Sequence, residues 1–252
     1  MEILVCIKRY VLAGSEFVLT PDAMEIDAKN LGFTMAPHEE VAVEQAIRFV
    51  EEFGGSTTVL SLGVPEAEEQ MREQMAIGAD RGILLATDGG EWDPQATAGA
   101  IVDAIRAQPQ SFDLIMFGAE AADSNGSQTG IRVAHALGLP VVTNVRAVTI
   151  KDGVARCERV VGNSREVFEV ALPAVMTTRE GLNIPRYPSV PGRIKARKKP
   201  IETSTPVKPA SRVEKVKLIV PPNQKTGAKV LGNGAAGAPA AVAMMEEIGV
   251  LP

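Results

Sequence analysis

The sequence is poor in the residues that build metal sites, disulfide frameworks and aromatic surfaces. It has two cysteines, Cys6 and Cys157, and two histidines, His38 and His135. The cysteines lie far apart, and neither CxxC nor HxxxH spacing occurs, which argues against a disulfide framework and against a metal site. Because only 4% of the residues are aromatic, the core must consist mainly of aliphatic side chains and methionine.

Long apolar runs and an excess of positive charge are lacking as well. No stretch approaches the roughly 20 apolar residues of a membrane-spanning helix, and the N-terminal stretch lacks the layout of a signal peptide. The net charge of −5 argues against general nucleic-acid binding. Two distant cysteines fit a reducing compartment, so we predict a cytoplasmic protein without membrane insertion. No Ser/His/Asp set or isolated acid pair indicates catalytic chemistry.

Hydrophobic periodicity predicts a repeated strand–helix pattern over the first half of the chain. Strands are predicted at 2–7, 57–62, 82–86 and 114–117, and helices at 38–53, 65–77, 94–107 and about 127–138. Such alternation is typical of an α/β fold with a parallel sheet covered by helices on both faces. Ligands of these folds bind beyond the carboxyl ends of the strands, which points to the loops after residues 7, 62 and 118.

The first predicted helix is amphipathic. Val43, Ala46 and Ile47 fall on one face of it, which we expect to be buried. Glu44 and Arg48 fall elsewhere, and we expect them to form a solvent-exposed i,i+4 pair.

The pattern becomes antiparallel after Pro140. Strands at 141–150, 154–161 and 166–172 are joined by short turns, of which Asp152-Gly153 is a strong hairpin signal. They predict an antiparallel β element attached to the parallel sheet. A further apolar strand is expected at 174–178, and a small hairpin from strands at 17–19 and 24–26.

The C-terminal part differs from the rest in composition. Pro185, Pro188 and Pro191 argue against a helix or a central strand and predict an extended segment, which a basic run at 193–199 follows. Beyond it lie a Pro/Ser/Thr-rich arm, a possible strand at 213–220, a Gly/Ala/Asn-rich linker at 226–241 and a short helix near 240–248. This tail has too little apolar surface to fold alone. We predict an α/β domain over 1–200 and an extended arm over 201–252 that lies on a partner subunit.

The segment 113–140 carries the clearest functional signal. A buried strand is followed by a loop of small polar residues and then by a helix that ends near Gly138. Such a loop offers a phosphate the free N–H groups and positive dipole end of the helix. It lacks the P-loop lysine and the GxGxxG spacing, so an ordinary tight connection is the alternative. The loop residues are Asp123, Ser124, Asn125, Gly126, Ser127, Gln128, Thr129 and Gly130.

Five segments together resemble the β subunit of electron-transferring flavoprotein. They are Leu4 to Arg9, Met35-Ala36-Pro37 with the helix that follows, Ala79 to Gly82, the loop 123–130 and, most specifically, the proline-spaced and basic segment 182–199. The resemblance covers residues 1 to about 200 in the right order, and the remaining residues fit in layout only.

Membership of this family implies AMP in this chain, with a structural role, and a heterodimer with an α subunit that carries the redox-active FAD. It implies that the loop 123–130, Ala36 and Leu62 bind the nucleotide. Cys6 and Lys8, at the end of the first strand, would line the same crevice. We read Cys6 as a small core residue, and Lys8 as facing the ligand, the α subunit or solvent.

The resemblance also gives the segment 182–199 a role in docking on flavin dehydrogenases, of which acyl-CoA dehydrogenases are an example. Val190 would be its apolar anchor. Electrons would then pass from the dehydrogenase to a downstream acceptor. The cations that would speed encounter with acidic partners are Arg193, Lys195, Arg197 and Lys198.

The chain departs from the family pattern at several positions. Ala36 replaces an asparagine and cannot supply its side-chain hydrogen bond, and Leu62 replaces a cysteine. Ala13 stands where some relatives place an aromatic residue against the α-subunit FAD. The loop 124–131 also differs from the Gly-Asp-Thr-Ala-Gln-Val-Gly-Pro of electron-bifurcating relatives, which favours AMP.

Two alternatives stay open at this point. One is a bifurcating β subunit with a second FAD that meets NAD(H). The other is a stand-alone nucleotide-binding sensor without an α partner.

Overall fold

The computed structural model describes residues 1–12, 17–211, 213–220 and 229–251. Ala13 therefore lies outside the described residues, as does part of the predicted linker. The elements, in chain order, are β1 (Glu2–Ile7), β2 (Arg9–Val11), β3 (Phe33–Met35), α1 (Pro37–Phe53), β4 (Ser56–Gly63), α2 (Glu68–Ile77), β5 (Arg81–Ala86), α3 (Pro94–Arg106), β6 (Leu114–Gly118), α4 (Thr129–Leu137), β7 (Val141–Val145), β8 (Ala147–Lys151), β9 (Val154–Val161), β10 (Ser164–Ala171), β11 (Ala174–Thr178), α5 (Val190–Ala196), β12 (Ile201–Ser204) and α6 (Ala238–Glu247).

Seven of the strands form one parallel sheet, in the order β12-β5-β4-β1-β6-β11-β7. The chain builds outward from β1 through β4 to β5 and then returns to the other side of β1 with β6. This reversal places a topological switch point between β1 and β6, and the region beyond the carboxyl ends of these two strands, where open sheets of this kind bind ligands, is called the crevice below. The predicted α/β fold is confirmed.

Two apolar layers cover the sheet. Helices α1, α2 and α5 pack on one face together with the small antiparallel sheet β10-β9-β8, around core residues such as Ile3 and Met116. Helices α3 and α4 cover the other face, around Leu4 and Phe117. Consecutive residues of β1 thus serve opposite layers, as expected of a strand buried on both faces.

The helix boundaries follow the local signals. Pro37 opens α1, and Gly54, with φ +74°, ends it. The carboxylate of Asp93 caps α3 by accepting from the backbone N–H groups of Gln95 and Ala96. In α1 the predicted exposure of Glu44 is wrong: it is buried, and so is Glu39.

The predicted strand 141–150 is two strands in two sheets. Residues 141–145 form β7, a parallel edge strand beside β11, whereas residues 147–151 form β8 of the antiparallel sheet. The chain changes sheet after Val145, directly behind Asn144, whose φ of +59° interrupts the extended backbone. The Asp152-Gly153 turn is confirmed, with positive φ at both residues.

The predicted hairpin at 17–26 is reduced to one antiparallel bridge between Leu19 and Ile26. Its place as an antiparallel ribbon beside the main sheet is taken by β2 and β3, which pair Arg9 with Met35. The sequence pattern correctly indicated that the segments 17–19 and 24–26 meet in an antiparallel arrangement. These short peripheral segments form only one bridge and not the continuous hydrogen bonding of a β-hairpin.

The C-terminal predictions need three corrections. Pro191 does not prevent a helix, because it occupies the first turn of α5, where no intrahelical N–H is required. Residues 201–204 form β12, which extends the main sheet beside β5. Residues 213–220 form no strand and lie along the surface, where the Leu218 N–H donates to the Ala23 carbonyl. The terminal helix is confirmed as α6.

None of the helices within the described residues is long and apolar enough to cross a membrane.

Candidate functional site

A salt bridge spans the crevice at the switch point. Lys8 follows β1, Asp123 lies in the loop after β6, and Lys8 Nζ stands 2.6 Å from Asp123 Oδ2. Both side chains are partly exposed, at 45% and 37%. The two loops that flank the topological reversal are therefore joined by opposite charges, at the place where open parallel sheets bind ligands.

A buried carboxylate lies beneath this bridge. Glu39, in the first turn of α1, accepts a hydrogen bond from the Lys8 backbone N–H at 3.0 Å, and its own N–H donates to the Ala36 carbonyl. A Cβ on Gly118 would stand 2.9 Å from Glu39 Cγ, so the end of β6 fits against this side chain. Burial raises the pKa of Glu39 to about 8, although hydrogen bonds from Lys8 and Ala36 oppose the shift. Burial thus favours the neutral form of this carboxyl group.

The loop 123–130 leads into the N-terminus of α4. Asn125 and Ser127 have positive φ, which turns the loop tightly before the helix begins at Thr129. At the start of this helix Ser127 is exposed and Thr129 is half-buried, and each carries a hydroxyl group. Together with the first N–H groups of α4 they offer donors of the type that a phosphate requires. Gly130 is buried against Phe117, so this helix end lies directly on the sheet.

The other predicted cofactor positions lie along the same edge of the sheet. Ala36 is the buried N-cap of α1 and is joined to Lys8 through Glu39. Leu62 is next to the last residue of β4 and packs partly buried against the α3 and α4 layer. Cys6 is buried in β1, paired with Leu60 and Phe117. Burial, with the charge of Glu39, raises the pKa of its thiol above the usual range, as expected of a core residue rather than a nucleophile.

A second polar cluster borders the crevice. Glu120, just after β6, stands 3.4 Å from His38 Nε2 and 3.0 Å from Arg179 Nη2. The other ring nitrogen, His38 Nδ1, accepts from the Glu180 N–H, and the His38 carbonyl accepts from the Thr178 hydroxyl. These contacts join the start of α1 to the ends of β6 and β11.

The segment 182–199 lies away from the crevice, over α1 and α2. Its apolar anchor candidate Val190 is 72% exposed at the start of α5, and Tyr187 is 94% exposed. Ile194, one turn after Val190, is also exposed. The four predicted docking cations are all exposed: Arg193, Lys195, Arg197 and Lys198. Lys199 differs, because its ammonium donates to the Ala79 carbonyl at 2.6 Å and is tied to the end of α2.

Sequence reasoning missed Glu39, the His38–Glu120–Arg179 cluster and Ile194. Glutamates in a helix first turn are ordinarily exposed, so nothing in the local pattern marked Glu39 as buried. Ile194 was detectable in principle, since it follows Val190 at helical spacing, but the prolines had argued against a helix there.

The sequence is similar to a known protein family over most of its length. The model of the electron transfer flavoprotein domain matches residues 24–209. "Electron transfer flavoprotein subunit beta" of Syntrophomonas wolfei is 36% identical over 231 residues, covering 91% of this chain and 90% of the relative. The chain belongs to the electron transfer flavoprotein β-subunit family.

The likeness extends across distant organisms. The β subunit of Bradyrhizobium diazoefficiens is 34% identical over 237 residues, with 91% of this chain and 93% of the relative covered. The human β subunit is 31% identical over 238 residues, with 91% and 92% covered. As a member of the electron transfer flavoprotein family the chain is associated with flavin-dependent electron transfer.

Proposed function

We propose that the chain is an electron-carrier subunit that binds AMP in the crevice between β1 and β6 and pairs with an FAD-carrying α subunit. The heterodimer receives electrons from flavin dehydrogenases and passes them to a downstream acceptor. The chain performs no bond chemistry itself, because the redox reaction belongs to a flavin held by another chain.

The observation that carries the proposal is the convergence at the switch point. The N-terminus of α4, the hydroxyls of Ser127 and Thr129 and the ammonium of Lys8 all lie at one end of the crevice. These groups fit a single phosphate without a P-loop lysine. Leu62 and the Ala36 backbone would flank the nucleoside part. The bound AMP would supply a fixed anion that orders the loop 123–130. Its role would be structural, since AMP takes no part in the electron transfer.

The C-terminal arm supports the heterodimer. Helix α6 has no buried residue. Val242 within it and Ile248 and Val250 directly after it are exposed apolar side chains. The end of β9 in the antiparallel sheet exposes Val160 and Val161 as well. Apolar surface of this kind, on an arm that cannot fold alone, is typical of a chain that is completed by a partner.

The exposed face of α5 supports docking on dehydrogenases. Val190 and Ile194 stand one turn apart, and cations surround them. An amphipathic helix of this kind fits an apolar groove rimmed by carboxylates.

Co-expression with the α subunit tests the proposal directly. After purification and denaturation we expect one FAD and one AMP per heterodimer, identified by chromatography and mass spectrometry. A chain that stays monomeric beside α and releases no adenine nucleotide would overturn the proposal. Two flavins per heterodimer would indicate a bifurcating subunit instead, and a stable homo-oligomer without flavin would indicate a nucleotide sensor.

A further inference from the structure

A buried carboxylate ties the proline-spaced segment to α1. The side chain of Glu44 is 1% exposed. Its Oε2 accepts from the backbone N–H of Arg186 at 3.1 Å and from Arg186 Nε at 2.9 Å. Its Oε1 accepts from Arg186 Nη2 at 3.2 Å and from Arg48 Nε at 2.6 Å. Four donors therefore converge on one carboxylate, which satisfies its acceptor sites without water.

Arg186 uses its whole guanidinium in this arrangement. Nη1 and Nη2 form a second, bidentate pair with Glu51, at 2.6 Å and 3.0 Å. Burial by itself would raise the pKa of Glu44, but hydrogen bonds from Arg186 and Arg48 hold that pKa below its usual value. The carboxylate is therefore charged at neutral pH. A lysine at 186 could not reproduce two planar pairs.

Neighbouring contacts fix the backbone before and around Arg186. Arg48 Nη2 donates to the Ile184 carbonyl at 3.0 Å, and Asn183 Nδ2 donates to the Val41 carbonyl at 2.9 Å. The rings of Pro185 and Pro188 restrict the chain on either side of Arg186. Little conformational freedom is left between residues 183 and 188.

The other end of the segment is attached to α2. Arg72 Nη1 donates to the carbonyls of Ala196 and Lys199, at 2.7 Å and 2.6 Å. Gly192 lies so close to α2 that an added Cβ would stand 2.3 Å from the Ala76 carbonyl oxygen. The exposed side chains of Tyr187 and Val190 thus lie between two fixed points of the segment.

We propose that Glu44 is a positioning residue for dehydrogenase docking: it holds Arg186 and thereby sets the direction in which Tyr187 and Val190 are presented. The inference rests on the docking role proposed above. A segment that is already ordered loses less entropy on binding, so the attachment raises affinity without any contact between Glu44 and the partner.

The test uses the complete heterodimer with its flavin. Glu44→Gln removes the charge at constant size, and Arg186→Lys keeps the charge but removes the double pairing. Glu52→Gln, an exposed position on the same helix, is the matched control. Glu44→Gln and Arg186→Lys are called the clamp variants below. With an acyl-CoA dehydrogenase as electron donor, we expect both of them to raise the KM for the dehydrogenase about tenfold. The kcat at saturation and the reduction of the bound flavin by dithionite should not change.

Two further measurements separate positioning from folding and from docking. Hydrogen exchange at the Arg186 amide should be faster in Glu44→Gln, since Glu44 is its acceptor. Val190→Asp tests the docking role alone and should raise the KM more strongly. A raised KM in Val190→Asp, with an unchanged KM in both clamp variants despite faster exchange, overturns the inference but not the docking role. An unchanged KM in Val190→Asp overturns both, and a loss of kcat in the clamp variants contradicts a positioning role.

Discussion

In the crevice, shape comes from backbone: parallel strands end together, and a tight loop delivers the start of α4 to the sheet. Its salt bridge between Lys8 and Asp123 is partly exposed on both sides. In the segment 182–199, shape comes from side chains: Arg186 is bound to the fully buried Glu44, and Arg72 holds two carbonyls of the far end. The loops of the crevice and the segment 182–199 are thus ordered by different means.

The difference has consequences for substitution. A backbone-built site tolerates changes of exposed side chains but not an added atom at a close approach. A side-chain-built site tolerates neither the loss of a buried charge nor the loss of its partner, since each leaves an unpaired polar group behind.

The largest expected effect concerns the buried carboxyl group of Glu39 in the crevice. Because the pKa of Glu39 is raised to about 8, folding takes up a proton between the unfolded value and that pKa. The contribution of this carboxyl group to stability is therefore full below about pH 4.5 and is lost as the pH rises through about 8. In Glu39→Gln this loss, roughly 3–5 kcal/mol, should disappear. Urea unfolding of the full chain from pH 5 to 9 measures it, and an unchanged slope would show that Glu39 is not neutral at pH 7.

A close approach in the crevice gives the next effect. A Cβ at Gly130 would stand 2.9 Å from Thr177 Cγ2 and 3.1 Å from the Phe117 ring. Gly130→Ala should push the start of α4 off the sheet, cost about 2–3 kcal/mol and reduce the adenine nucleotide that co-purifies. Gly126→Ala, in the same loop, meets only Ser124 Oγ at 3.9 Å and should keep both. Equal behaviour of the two variants would contradict the backbone-built crevice.

The matching substitution in the docking segment should cost less. At Gly192 an added Cβ meets the Ala76 carbonyl at 2.3 Å, so α5 must shift away from α2. The higher helix propensity of alanine offsets part of the loss, which leaves about 1–2 kcal/mol. Gly99→Ala, an open helical position in α3, should instead stabilise the chain. Thermal unfolding of both variants checks this, and a stable Gly192→Ala would show that α5 is only loosely attached.

The smallest effect should be that of the exposed salt bridge. A double-mutant cycle with Lys8→Ala and Asp123→Ala should give a coupling energy of about 0.2–1 kcal/mol in urea unfolding, and less in high salt. The same cycle on Glu44 and Arg186 should give several times more, because the carboxylate of that pair is buried. Similar coupling energies in the two cycles would remove the distinction between the regions.

The sequence predicted the core of the fold well, since the parallel strands and their helices carry strong periodicity and clear end signals. It failed where the outcome depended on partners far along the chain. The stretch 141–150 is rich in β-branched residues throughout, yet it divides between two sheets. Residues 201–204 carry little strand signal, yet they complete the sheet because β5 leaves an unpaired edge.

The candidate site shows the same division. The small polar loop 123–130 and the residues after β1 could be named from composition and position, and the fold brings Lys8 and Asp123 into contact as an α/β crevice requires. Glu39 and Glu44 could not be recognised, because a glutamate on a helix is ordinarily solvated and only its surroundings decide otherwise.

By itself, then, the sequence determined the order of the elements and the family, because these depend on local periodicity and short motifs, and it predicted the loop 123–130 as a phosphate site. The tertiary structure decided which charges are buried and what they hold. Glu44 and Arg186 are 142 residues apart, and no local rule relates them. They form a pair because the chain passes over α1 after it leaves β11. There the buried carboxylate of Glu44 requires a hydrogen-bond donor, which Arg186 supplies.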